Sequence, residues 1–106
     1  VARERIWLDP GIGFGKHPLA HNLPLLARLD AIVATGYPVL VGASRKQFIG
    51  ALTGASVAGR LPGSLAAATA AVLAGVRAVR AHDVGETRQA VDVAAAIRAA
   101  RLPEHA

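Results

Sequence analysis

With 106 residues, 53% of them hydrophobic and 18% charged, the chain has the composition of a folded α/β protein, not of a disordered or fibrous one. It contains no cysteine, which excludes disulfides and thiolate metal sites and makes a reducing cytoplasm the expected location. The net charge of +5 comes from bases spread along the chain, and one Trp, one Tyr and two Phe supply no stacking platform, so no nucleic-acid partner is expected.

The first predicted element is a strand from Arg5 to Leu8, followed by a Gly/Pro loop from Asp9 to Leu19. A helix is predicted from about Leu23 to Thr35, with Asn22 as N-cap, Pro24 in the first turn and Gly36 as terminator. Leu25, Leu26, Leu29, Ile32 and Val33 recur at helical spacing and form its buried stripe. Pro38 opens a second strand. Ser44 is the expected cap of a helix from Arg45 to about Leu52, with Gln47 completing a capping box. After a turn-rich stretch to Pro62, Ser64 is expected to cap an Ala/Leu helix ending near Ala74. A third strand covers Val76 to Arg80. Asp83 and Glu86 open a last helix to about Ala100, with Ala90, Val93, Ala94 and Ile97 facing inward. The order β-α-β-α-α-β-α implies a parallel sheet with right-handed crossovers. No apolar run reaches the roughly 18 residues of a membrane span, and Val1 to Arg5 is not read as a secretory leader.

Parallel strands bring their C-terminal ends to one face, where ligands bind. Each of the three strands here ends in a polar cluster. The first is Asp9-Pro-Gly-Ile-Gly-Phe-Gly-Lys16. It fails as a phosphate-binding loop, because Pro10 and His17 stand where that pattern needs Gly and Ser or Thr. Its glycines suit a backbone that approaches a ligand closely, with Phe14 as a flat apolar wall. The second cluster is Ser44-Arg45-Lys46 at the start of a helix, where Lys46 opposes the helix dipole and is more readily explained by a ligand than by stability. In the third, Arg80 and His82 are two residues apart on a strand end and share a face, a pairing suited to phosphate or diphosphate. The bland alternatives are a capped loop, a solvated basic turn, and an ion pair of Arg80 with Asp83 or Glu86. His17, His21 and His105 show no metal spacing.

Taken together, these motifs resemble dihydropteroate synthase: Asp9 to Lys16 with His21-Asn22, Val41 to Lys46, Phe48-Ile49-Gly50, Arg60 to Ser64, and Arg80 to Val84 with Glu86-Thr87. The family fold is an eight-stranded (β/α) TIM barrel of roughly 250 residues. The whole chain, 1–106, resembles its C-terminal part, an incomplete pterin-binding barrel domain made of strands six to eight. The resemblance implies condensation of p-aminobenzoate with 6-hydroxymethyl-7,8-dihydropterin diphosphate in folate synthesis. It implies Mg²⁺ as cofactor, held by the part of the barrel not represented here, with no metal ligand in this chain. A homodimer is compatible with it. Carried over by position, Lys46, Arg80 and His82 would be catalytic. Asp9, Lys46 and Arg80 would bind the pterin, and Arg80 with His82 the diphosphate. Gly13, Phe14, Ser44, Lys46 and Gln47 would line the p-aminobenzoate site, with Ser44 also supporting the Lys46 turn. Gln47 departs from the serine, and His17-Pro18 from the Thr or Asn, found in many members. Two other readings stand beside this one: the pterin-binding barrel of corrinoid-linked methyltransferases, which handles no diphosphate, and a non-catalytic remnant.

Overall fold

The computed structural model describes residues 6–12 and 18–101. Three chain segments run parallel and share ladder bonds. Strand β1 (Leu40–Val41) pairs with β2 (Ala78–Val79) in the register Leu40 to Ala78 and Val41 to Val79. On its other side, Leu8 bridges Val39 in parallel, through Leu8 N–H to Pro38 O and Leu40 N–H to Leu8 O, both 2.9 Å. The segment holding β1 is therefore in the middle. It has a neighbour on each side, and Val39 and Val41 are both 1% exposed.

The strands are shorter than predicted. Leu8 carries the pairing of the first one, Ile6 and Trp7 are outside the ladder, and Arg5 lies outside the described residues. A ladder bond requires a partner at that residue, and among the described residues the two outer segments each have one on a single side only.

The helices differ from expectation in where they begin. Helix α1 (Pro18–Ala27) starts five residues before Leu23, so Pro24 is interior and Asn22 is a buried helical residue, not a cap. The chain leaves the helix at Arg28 (φ −117°, ψ 24°) and resumes as α2 (Leu29–Val33). Leu19, Leu25, Leu26, Ile32 and Val33 pack against a core of Ile12, Leu29, Val39, Val41, Phe48, Ile49 and Ala71. Their burial extends the helix despite the ladder bond that Pro24 cannot donate. Gly36 does end the segment, at φ 92°.

Helix α3 (Gln47–Thr53) begins two residues later than predicted, because Arg45 sits in the left-handed region at φ 54° and cannot belong to a right-handed helix. A 3₁₀ turn (Val57–Gly59) leads into α4 (Leu61–Leu73). That helix starts three residues before Ser64, since Pro62 is tolerated in a first turn. Ser64 is thus 5% exposed inside the helix, and its hydroxyl serves another loop.

Helix α5 (Val84–Arg101) packs along α4, whose Ser64, Ala67, Ala68, Ala71 and Val72 are buried. Its inward stripe is Thr87 and Ala94, with Ala90 and Val91 half-buried. Val93 and Ile97, predicted inward, are 56% and 45% exposed. An alanine-rich helix carries a weak apolar signal, and its small residues go where the neighbouring helix is closest. None of the helices among the described residues is long and apolar enough to cross a membrane.

Candidate functional site

The residues directly after the three parallel segments are Asp9, Gly42 and Arg80, and the pairing sets all three at one edge of the sheet. Arg80 Nη1 lies 3.5 Å from Asp9 Oδ2, so the ion pair joins the two outer segments above the middle one. Gly42 makes this crossing feasible. A Cβ there would stand 2.7 Å from Arg80 Cζ, closer than real contacts allow, so the guanidinium rests on bare backbone. Asp9 is further fixed by accepting the Gly11 N–H at 2.9 Å. The expected alternative, a pair between Arg80 and Asp83 or Glu86, is not what forms: Asp83 faces Arg45 instead.

Beside this bridge is a pocket of about 320 Å³ lined by Gly42, Ser44, Lys46, Arg80, Ala81 and His82. Lys46 precedes α3 in extended conformation (φ −72°, ψ 156°), so it is not in the helix's first turn as expected. Ser44 is not a helix cap either, and Gln47 completes no capping box. Ser44 Oγ instead accepts the His82 backbone N–H at 3.1 Å and meets His82 Nδ1 at 3.0 Å.

The next residue along each loop repeats the link. Arg45 donates from Nε to Asp83 Oδ2 at 3.0 Å and from Nη2 to Asp83 Oδ1 at 2.5 Å, a two-pronged fork. That hydrogen bond first, and the guanidinium charge as well, hold the Asp83 carboxyl below the usual aspartate range; burial opposes them. The same contact raises Arg45. The left-handed backbone of Arg45 is pinned from α4, its N–H donating to Ser64 Oγ at 2.8 Å and its carbonyl accepting Arg60 Nη1 at 3.2 Å. Sequence reasoning missed this support. The Arg60 to Ser64 motif was the available signal, but nothing in it says that the serine points away from its own helix.

Of the predicted site residues, the structure brings together Asp9, Ser44, Lys46, Arg80 and His82. Gln47 opens α3 on an exposed side, outside the pocket lining. Gly13 and Phe14 lie outside the described residues, as do Lys16 and His17. No group of three or more histidines and acids among the described residues could hold a metal ion. A larger hollow of about 550 Å³ runs between β2 and α5, walled by Val76, Val79, Val84 and Val91, and shares only Ala81 with the smaller pocket.

The profile of the family described as "Pterin binding enzyme" matches residues 1–82. The chain is 46% identical over 101 residues to the dihydropteroate synthase of Escherichia coli (strain K12), covering 95% of this chain and 36% of that protein. It is 42% identical over 103 residues to an inactive dihydropteroate synthase 2 of Mycobacterium leprae, covering 97% of this chain and 35% of that one. Its fold superposes with a TM-score of 0.88 on a dihydropteroate synthase of Coxiella burnetii in complex with pteroic acid, at 40% identity, over 94% of this chain and 37% of that one. The chain thus spans about a third of the length of these relatives, whose fold is a TIM barrel. The profile over residues 1–82 and the likeness to dihydropteroate synthases together show that the chain belongs to the pterin-binding enzyme family.

Proposed function

We propose that this chain forms strands six to eight of a dihydropteroate synthase barrel and carries much of its site. The reaction joins the aniline nitrogen of p-aminobenzoate to the methylene of 6-hydroxymethyl-7,8-dihydropterin diphosphate, releasing diphosphate. The observation that carries the reading is the convergence of Asp9, Lys46, Arg80 and His82 at the ends of parallel segments. The pteroic acid held by the Coxiella burnetii relative, a pterin linked to p-aminobenzoate, supports it.

In this reading Asp9 accepts hydrogen bonds from the pterin ring's N–H groups. Arg80 lies over the ring and, with His82, holds the departing diphosphate through charge-assisted bonds. Lys46 stands between the two substrates, donating to the pterin from beside the p-aminobenzoate pocket, which Ser44, Gln47, Gly13 and Phe14 would border. The protein's part is orientation and stabilisation of charge on the leaving group. Mg²⁺, which would assist the leaving group, is assigned in this reading to the part of the barrel outside this chain, as the resemblance implies.

A second reading, a pterin-binding barrel without turnover, is favoured by the inactive Mycobacterium leprae relative. One experiment separates the two. The chain is joined behind the N-terminal βα units of the Escherichia coli relative, and pterin binding and dihydropteroate formation are measured with Mg²⁺ present. Turnover supports the synthase, binding without turnover the second reading, and a folded barrel that does neither sinks both. The 106-residue chain alone should form no dihydropteroate.

A further inference from the structure

We infer that Ser44 is a positioning residue that holds His82 as the Nε2–H tautomer, so that the imidazole presents a hydrogen-bond donor to an anion in the pocket. The inference rests on the proposed diphosphate site. It adds to the part beside p-aminobenzoate already proposed for Ser44.

The argument is a count of protons and lone pairs. A serine hydroxyl has one proton to donate and two lone pairs. Ser44 Oγ already accepts the His82 backbone N–H at 3.1 Å, and Ser44 is 8% exposed. Its one proton needs an acceptor, and His82 Nδ1 stands at 3.0 Å. When Nδ1 accepts, the ring proton of a neutral imidazole must be on Nε2. His82 also lines the pocket shared with Lys46 and Arg80, and Nε2 is the ring nitrogen left for it. The opposite tautomer would turn a bare lone pair toward the same space and repel an oxyanion. One hydroxyl therefore fixes both the backbone and the ring of His82.

The hydroxyl itself is held in place. Arg45, the next residue, is kept at φ 54° by Ser64 and Arg60 and tied to Asp83, the residue after His82. A non-glycine residue in the left-handed region persists only where its surroundings enforce it. Here they keep the Ser44 loop in register with the His82 loop.

The test uses the 106-residue chain labelled with ¹⁵N-histidine, above pH 8, where imidazoles are neutral. Long-range ¹H–¹⁵N spectra distinguish the tautomers, and loss of one ring system in His82→Gln assigns His82. Wild type should show protonated Nε2 and an acceptor-type Nδ1. Ser44→Thr, which keeps the hydroxyl, should retain that pattern, and Ser44→Ala should lose it. Amide spectra report whether each variant is folded. Inorganic diphosphate binding should fall at least tenfold in Ser44→Ala and less than threefold in Ser44→Thr. A protonated Nδ1 in wild type, or an unchanged tautomer in folded Ser44→Ala, overturns the inference. The tautomer readout needs no substrate, so it can fail while the synthase reading stands, and the reverse holds for turnover of the joined barrel.

Discussion

The Arg80 guanidinium meets the Asp9 carboxylate 3.5 Å away, across the end of the strand that separates their own two segments. Both side chains are partly open to solvent, and an exposed pair of this kind contributes at most about 1 kcal/mol to stability. In the proposed reading the contact holds an anion and a cation in readiness for one ligand. Asp9→Asn should therefore change the unfolding free energy by less than about 1 kcal/mol. Pterin affinity, by titration calorimetry, should fall at least tenfold, because one of the two accepting oxygens becomes an NH₂ donor facing the ring's own N–H groups.

Arg80→Ala and His82→Ala should weaken binding of the pterin diphosphate more than binding of the bare hydroxymethyl-pterin. A charge-assisted contact to phosphate is worth roughly 1.5–3 kcal/mol, and the alcohol has no such partner. Calorimetry on the joined barrel with both ligands measures the difference. Equal losses for the two ligands would remove His82 and Arg80 from the leaving group.

Lys46 stands before α3 in an extended turn, half-buried at the pocket rim, and its side chain is not part of the core. Lys46→Ala should leave the melting temperature within a few degrees and reduce turnover at least a hundredfold. Lys46→Arg should not restore it, since a planar fork does not replace a compact ammonium in a small site. Near-normal turnover in a folded Lys46→Ala barrel would return the residue to an ordinary solvated turn.

The fork between Arg45 and Asp83 makes part of the stability depend on pH. Its sign follows from the Asp83 carboxyl, whose folded value lies below the unfolded one. The contribution is therefore fully present above the ordinary aspartate range near 4 and is lost as pH falls through the lower folded value. Melting curves of wild type and Asp83→Asn should differ at pH 7 and converge toward pH 2. A constant gap across that range would mean the charge of Asp83 is irrelevant to the fork.

At the centre of the fold, Leu29 is 1% exposed among Ile12, Val39, Val41 and Phe48. Leu29→Ala should cost about 2–5 kcal/mol through lost transfer energy and the cavity left behind. Denaturant titration gives the value. A loss under 1 kcal/mol would mean that the neighbouring side chains collapse into the space.

Much of the site could be read from the chain because strand ends in a parallel sheet share a face. Placing Asp9, Ser44, Lys46, Arg80 and His82 there required only the order of elements. What could not be read was how these residues hold one another. Ser44 followed by Gln47 has the local signature of a capping box, yet the hydroxyl is drawn to His82, far along the chain but beside it in space. Nothing in the local sequence marks Arg45 as left-handed, because Ser64, Arg60 and Asp83 impose that conformation from other elements. The start of α1 was missed for a related reason: tertiary burial of Leu19 and Asn22 outweighs the preference of Pro24 for a first turn. In α5 the apolar period was present, but alanines leave the choice of face to the partner helix.

The bare backbone at Gly42 also decides what a substitution there would disturb. A side chain there would claim the space of the Arg80 guanidinium, which is the far end of a flexible and half-exposed side chain. Arg80 can swing aside to admit it, at little cost to the fold. What such a change would remove is the reach of Arg80 across the middle segment to Asp9. Substitution at position 42 is therefore quiet in stability and shows itself in the bridge between the two outer segments.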